Sequence, residues 1–292
     1  MPLDHRLRSL LRDQWHLVPE EIRPLPGGLM SQAWEVAAGD DRYVARIVDG
    51  TGRRPLEAGL AAAEQLRGSG VEIGQPVRTL GGRLTATMPA GVVALLRRVP
   101  GRTLNGGDPV DQQFWGDRLG ALHRTLQGFQ HPGLRPWTVP DPDAAHLAGE
   151  GWLRTAVAEA VMAATRLTVT DRLTYGVLHG DPAPEDFVVD PATGRAGLLD
   201  CGAAGTGPLV YDVAAAVVYA GGPEQAGELL DGYRAAGPVG ADELHAALPV
   251  LLRFRWAVQA DWCARRLVKG AKGVGEALQR AREALRDMPG MS

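Results

Sequence analysis

Four carboxylates fall within one short stretch of this 292-residue chain. His179-Gly180-Asp181 is followed by Asp186, then by Leu198-Leu199-Asp200-Cys201-Gly202, and then by Tyr211-Asp212. Between the second and third aspartates, Phe187-Val188-Val189-Asp190, the turn Pro191-Ala192-Thr193-Gly194 and Arg195-Ala196-Gly197-Leu198-Leu199-Asp200 read as strand, tight turn, strand. Pairing of 190 with 195 puts Asp186 opposite Leu199 or Asp200. Cβ atoms facing each other across such a pair lie about 4.5–5.5 Å apart, so two ionised carboxylates there repel unless a cation sits between them. Oxygen ligands so placed suit a divalent metal. Any one of these aspartates alone reads as an ordinary turn residue. Four at this spacing on one hairpin read as a site.

The order His-Gly-Asp, a residue five positions after that aspartate, a hairpin and then Asp-x-Gly resembles the catalytic and metal-binding loops of the aminoglycoside phosphotransferase family. These enzymes are relatives of the protein kinases and include choline and homoserine kinases. The match is most specific from Gly180 to Asp212. The resemblance implies that Asp181 accepts the proton of a substrate hydroxyl and that Asp200 holds Mg²⁺ on the nucleotide phosphates. It implies a second metal ligand at Asp186, where the family usually has Asn; the aspartate keeps an oxygen ligand and adds a charge. His179 would be a scaffold residue, and Asp212 would brace the catalytic loop by accepting backbone hydrogen bonds.

Phosphoryl transfer depends on positioning the triphosphate and neutralising its charge, so the elements before the hairpin must supply a nucleotide cover. Leu25 to Val36, with Pro26-Gly27-Gly28 inside it, and Arg42 to Val48 read as strand, glycine loop, strand, a Gly39-Asp40-Asp41 turn, and strand. Backbone amides at Gly27 and Gly28 can approach an anion without Cβ obstruction, although Pro-Gly-Gly is also a common hairpin corner. On the third strand Arg46 stands where protein kinases carry lysine. Only Lys269 and Lys272 break the use of arginine as the basic residue, so arginine at 46 says little about lost function, though its planar fork binds two oxygens. A surface arginine would fit the same alternation. A helix from about Pro55 to Arg67 carries Glu57 and Glu64 on one face; the resemblance assigns Glu57 to steady the cation, with Glu64 as the fallback. The run Val92 to Leu104 resembles the last strand of a small lobe entering a hinge, whose backbone around Arg97 to Val99 would bind the adenine edge.

The chain length suits two lobes rather than one core. The expected fold is α+β and protein-kinase-like, with a small strand-rich nucleotide-binding lobe at 1–99 and a larger helical lobe at 100–292 that carries the catalytic loop, metal site and substrate cleft. Helical apolar spacing marks 111–126, 151–165, 207–220, 223–236, 241–268 and 274–288. The proline-bearing stretch 127–147 reads as a long connection and a candidate substrate wall.

Net charge of −3 and a pI near 6.2 leave no electrostatic footprint for nucleic acid. No apolar run has the length of a membrane span or the form of a secretory leader, and two distant cysteines suit reduced thiols in the cytoplasm. There is no Gly-Lys-Ser/Thr P-loop, no His-Glu-x-x-His helix and no Gly-x-Ser-x-Gly elbow. The expected function is ATP- and Mg²⁺-dependent transfer of a phosphoryl group to a hydroxyl of a small molecule. Two alternatives stay open, a peptide or protein Ser/Thr kinase and a pseudokinase that binds nucleotide without turnover. Oligomeric state is not legible in the sequence.

Overall fold

The computed structural model describes residues 3–25, 32–169, 172–199, 201 and 203–288. Helix α1 (Leu3–Trp15) precedes strands β1 (Glu21–Pro24), β2 (Gln32–Ala38) and β3 (Asp41–Val48). Next come α2 (Arg53–Gln65), β4 (Glu72–Ile73), β5 (Ala86–Met88), β6 (Gly91–Arg97) and β7 (Arg102–Thr103). The remainder runs α3 (Pro109–Thr125), β8 (Arg135–Pro136), α4 (Leu153–Val169), β9 (Tyr175–Leu178), β10 (Phe187–Val189), β11 (Ala196–Leu198), β12 (Gly205–Pro208), α5 (Val210–Tyr219), α6 (Gly227–Ala236), α7 (Ala241–Val268) and α8 (Gly275–Asp287).

The N-terminal part is an antiparallel five-stranded sheet of order β1-β2-β3-β6-β5. In β3 Tyr43, Ala45 and Ile47 are buried while Val44, Arg46 and Val48 are only half-buried, the alternation of a strand with one face on a core. Leu7 and Leu11 of α1 close that core with Val36 and Leu95. The N-terminal helix was not expected: its apolar positions are few, and their burial depends on the sheet.

A second sheet, β4-β11-β10-β7, ties this part to the acidic hairpin. The hairpin has the register its turn dictates, Phe187 opposite Leu198 and Val189 opposite Ala196, with the Asp190 amide donating to the Arg195 carbonyl at 2.8 Å. Beyond it the chain is mostly helix. The largest core gathers Trp115, Leu119 and Leu122 of α3 with Phe187, Val213, Tyr233 and Phe254. Helices α3 and α6 pack backbone to backbone, since a Cβ on Gly116 would lie 1.9 Å from the Leu229 carbonyl oxygen and one on Gly232 would lie 2.4 Å from that of Gln113. The 28-residue α7 has the expected bounds. The stretch 127–147 is long and largely irregular, yet Arg135–Pro136 pairs in parallel with β12.

Candidate active site

Gly180 has φ +93°, and a Cβ there would meet the Ala203 carbonyl oxygen at 2.2 Å, so the turn that presents Asp181 requires glycine. The turn is held from beneath by Asp212, whose side chain is completely buried. Its Oδ2 accepts the His179 amide at 2.5 Å and its Oδ1 the Gly180 amide at 3.1 Å. His123 Nε2 lies 3.0 Å from the same Oδ2, and His123 Nδ1 lies 2.9 Å from the Tyr233 hydroxyl. An imidazole protonated at Nε2 donates to the carboxylate and accepts from the tyrosine, so a chain of buried polar groups is satisfied end to end. Burial, and then the Asp212 charge, push the Tyr233 hydroxyl well above its ordinary range, which keeps it a donor. The expected brace at Asp212 is therefore present; His123 and Tyr233, which complete it from α3 and α6, were not foreseen. The His179 ring is buried and stacks on Phe187, 5.6 Å between centroids, a scaffold role.

Helix α5 grips the loop a second time. Asp212 and Tyr219 are two turns apart on it, hence on one face. The Tyr219 hydroxyl donates to Asp181 Oδ1 at 2.7 Å. Desolvation, and next the Asp181 charge, push that hydroxyl well above its ordinary range, so it stays a donor. Arg255 of α7 places Nη2 3.5 Å from the same carboxylate oxygen and packs over the Tyr219 ring at 5.7 Å. The Asp181 side chain itself remains 55% exposed, open to an acceptor.

Asp186 closes a single 3₁₀ turn, Pro184–Asp186, and its carbonyl accepts the Leu199 amide at 2.8 Å. Asp186 thus stands opposite Leu199, one residue from Asp200. Asp200 itself lies outside the described residues, as do Gly27 and Gly28. Among the described residues no three His, Cys, Asp or Glu side chains gather as a metal site. The Asp186 carboxylate is a hard oxygen donor of the kind a divalent cation takes.

Arg46 faces a narrow cavity lined by Leu56, Gly59, Leu60 and Ala63 of α2, by Leu96 and by Cys201. The cation therefore shares this cavity with Cys201, and the α2 stripe opposite it is apolar. Glu57 takes other partners than the expected Arg46. Its Oε1 accepts from Arg53 Nε at 3.0 Å and from Thr85 Oγ1 at 2.7 Å. The cause is helix register: α2 starts at Arg53, so Arg53 and Glu57 are one turn apart and pair. Burial alone would raise the Glu57 carboxyl, but the bonds from Thr85 and Arg53 outweigh it and hold it below its ordinary value. Glu64, the fallback, is paired with Arg78 through both carboxylate oxygens.

At the end of β6, where a hinge was expected, the Arg97 amide donates to the Gln75 carbonyl and the Arg98 amide to the Arg42 carbonyl, while Val99 is buried. The Arg97 side chain points outward, over the Tyr43 ring. Gly74 was missed by the sequence reading. A Cβ there would stand 2.7 Å from the Leu199 carbonyl oxygen and 3.3 Å from that of Arg97, so only glycine lets the chain pass between the end of β6 and the hairpin. In the helical part Asp231 pairs with Arg234, Glu243 accepts from Thr174, and Asp261 pairs with His146 and Arg265.

Residues 21–248 match the model of the phosphotransferase enzyme family that includes the aminoglycoside phosphotransferases, and the chain belongs to that family. The fold is the two-lobed kinase-like one. An amicoumacin kinase solved in complex with AMP-PNP, Ca²⁺ and Ami superposes with a TM-score of 0.75 at 18% identity, over 98% of this chain and 94% of that one. A choline/ethanolamine kinase family protein from Mesorhizobium loti gives 0.73 at 18% identity, over 99% and 96%. A microcompartment-associated aminopropanol kinase gives 0.72 at 20%, over 96% and 93%. No curated protein sequence matches the chain.

Proposed function

We propose that this protein transfers the γ-phosphoryl group of ATP to a hydroxyl of a small molecule. The observation that carries the reading is the double grip of α5 on the 179–181 turn, with the Asp181 carboxylate left open to an acceptor. The acceptor hydroxyl oxygen forms a bond to the γ-phosphorus, the bond from that phosphorus to the β–γ bridging oxygen breaks, ADP leaves, and the hydroxyl proton passes to Asp181. Arg46, which shares a cavity with Cys201, would offer its guanidinium to the phosphates. Gly27 and Gly28 are the proposed cover, and the backbone between Arg97 and Val99 is the proposed adenine edge. Asp186 and Asp200 would hold Mg²⁺, which neutralises phosphate charge when bound. Glu57, tied to Arg53 and Thr85, would shape the small lobe at 1–99 rather than orient the cation.

The aminopropanol and choline kinases among the similar structures support a small acceptor over a protein. The test is a screen of ATP consumption with detection of the phosphorylated product, in buffer with and without Mg²⁺. Nucleotide-dependent phosphorylation of a hydroxyl compound is expected. Binding of ATP with no consumption across amino alcohols, sugars, hydroxy acids and peptides would support the pseudokinase instead.

A further inference from the structure

Arg255 is an unusual neighbour for a general base. Its side chain is only 11% exposed, and its contacts are long: Nη2 is 3.5 Å from Asp181 Oδ1 and 3.5 Å from the Tyr219 hydroxyl, and Nη1 is 3.2 Å from the neutral Gln259 Oε1. A guanidinium has five donors in a fixed fork, and 3.5 Å is the outer limit of a hydrogen bond. Among the described residues the one carboxylate beside it is that of Asp181, the group that takes up the acceptor's proton. Once Asp181 is protonated, Arg255 loses its counter-charge while still withdrawn from water, an arrangement that is costly unless another anion is present.

The same face of α7 continues in that character. Gln259, Trp262 and Arg266 follow Arg255 at spacings of four, three and four residues, which is one helical stripe. The Arg266 guanidinium stacks over the exposed Trp262 ring at 4.9 Å, and its buried Nε has no hydrogen-bond partner among the described residues. Two carboxylates of α7 are committed elsewhere, Asp261 to His146 and Arg265, and Glu243 to Thr174. Glu185 is the further acid whose charge reaches Tyr219, and it is exposed.

We propose that Arg255 is a specificity-determining residue that binds an anionic group, a carboxylate or a phosphate, on the hydroxyl acceptor. The inference rests on the phosphotransferase reading above. A planar fork receives either anion through two parallel hydrogen bonds, and the bound anion replaces Asp181 as counter-charge when the proton moves. Such a site selects against acceptors whose hydroxyl is flanked by an ammonium.

The test uses the full chain with ATP, Mg²⁺ and two matched acceptor sets. One is glycerol, 3-aminopropane-1,2-diol, glycerate and glycerol 3-phosphate; the other is glucose, glucosamine, glucuronate and glucose 6-phosphate. Phosphorylated product is followed by mass. Anionic members are expected to exceed the neutral and aminated members of their set in kcat/KM by about tenfold or more. The carboxylate and phosphate arms show which anion is read. Arg255→Gln should raise KM for the anionic acceptor by about tenfold, with kcat changed far less, and Arg255→Lys should restore part of the loss. Thermal unfolding of both variants checks that they are folded. Turnover of aminated or neutral members alone, or Arg255→Gln lowering kcat with KM unchanged, would overturn the anionic assignment and leave the phosphotransferase reading standing; ATP hydrolysis with no acceptor phosphorylated would overturn both. Failure to bind or consume ATP at all would overturn both.

Discussion

Asp212 Oδ2 accepts the backbone amide of His179, 33 residues earlier, at 2.5 Å, and the same carboxylate also takes the Gly180 amide and a ring nitrogen of His123. No water replaces these bonds, because the side chain is fully buried. Asp212→Ala should therefore leave three donors unsatisfied and cost at least about 3 kcal/mol of stability, at about 1–3 kcal/mol per orphaned group. Denaturant unfolding checks this; a loss below about 1 kcal/mol would mean the turn does not depend on the brace.

Gly180→Ala combines a positive φ with a clash against the Ala203 carbonyl. Gly194, in the hairpin turn, also has a positive φ of +69° but open space around it. Gly194→Ala should cost about 1–2 kcal/mol from backbone strain alone. Gly180→Ala should cost more than that and also abolish turnover, since Asp181 is displaced with the turn. Equal effects of the two substitutions on activity would remove the special role of the turn.

Arg46 and Glu57 are separated by the observed contacts. Arg46→Ala should weaken ATP binding about tenfold or more, as expected for a lost charge-assisted contact to phosphate. Glu57→Ala removes a partly exposed pair with Arg53, worth about 0–1 kcal/mol of stability, and leaves the buried Thr85 hydroxyl without its acceptor, at about 1–3 kcal/mol, but should leave ATP affinity within about threefold. Calorimetric titration with a non-hydrolysable ATP analogue distinguishes them; a tenfold loss in Glu57→Ala would restore the Glu57–Arg46 pairing.

Asp111 gives a pH-dependent test of the segment that leads into α3. Its buried carboxylate accepts two bonds from Arg102, at 2.6 and 2.8 Å, and the Asn105 amide at 2.8 Å. The Arg102 bond outweighs burial and holds the carboxyl below its ordinary value of 3.8. A group depressed on folding stabilises fully above its unfolded pKa, and that stability disappears as pH falls through the folded value. The stability gap between the wild type and Asp111→Asn should thus be largest near neutral pH and shrink below about pH 4. A gap that is flat from about pH 7 to about pH 3 would contradict the assignment.

The hairpin was legible because Pro-Ala-Thr-Gly fixes its own turn and thereby the register that sets Asp186 opposite Leu199. The brace at Asp212 was legible through the family resemblance. His123, Tyr233, Tyr219 and Arg255 were not, because each reaches the site from a different helix, and which helical face turns inward there is decided by packing. The Gly116 and Gly232 contacts show why: helix α3 meets α6 at backbone distance, a fact that composition and spacing do not carry. Helix register also decided Glu57, whose neighbour one turn earlier took the bond expected for Arg46.

The most direct measurement is single-turnover phosphoryl transfer by Asp181→Asn, made beside its ATP affinity. The substitution keeps the shape of the side chain and the contacts of the turn, and removes the proton acceptor. The rate should fall by about 100-fold or more, the range for a lost general base, with ATP affinity unchanged within about threefold. A transfer rate within a few-fold of the wild type would contradict the account, because Asp181 would then have no part in moving the proton.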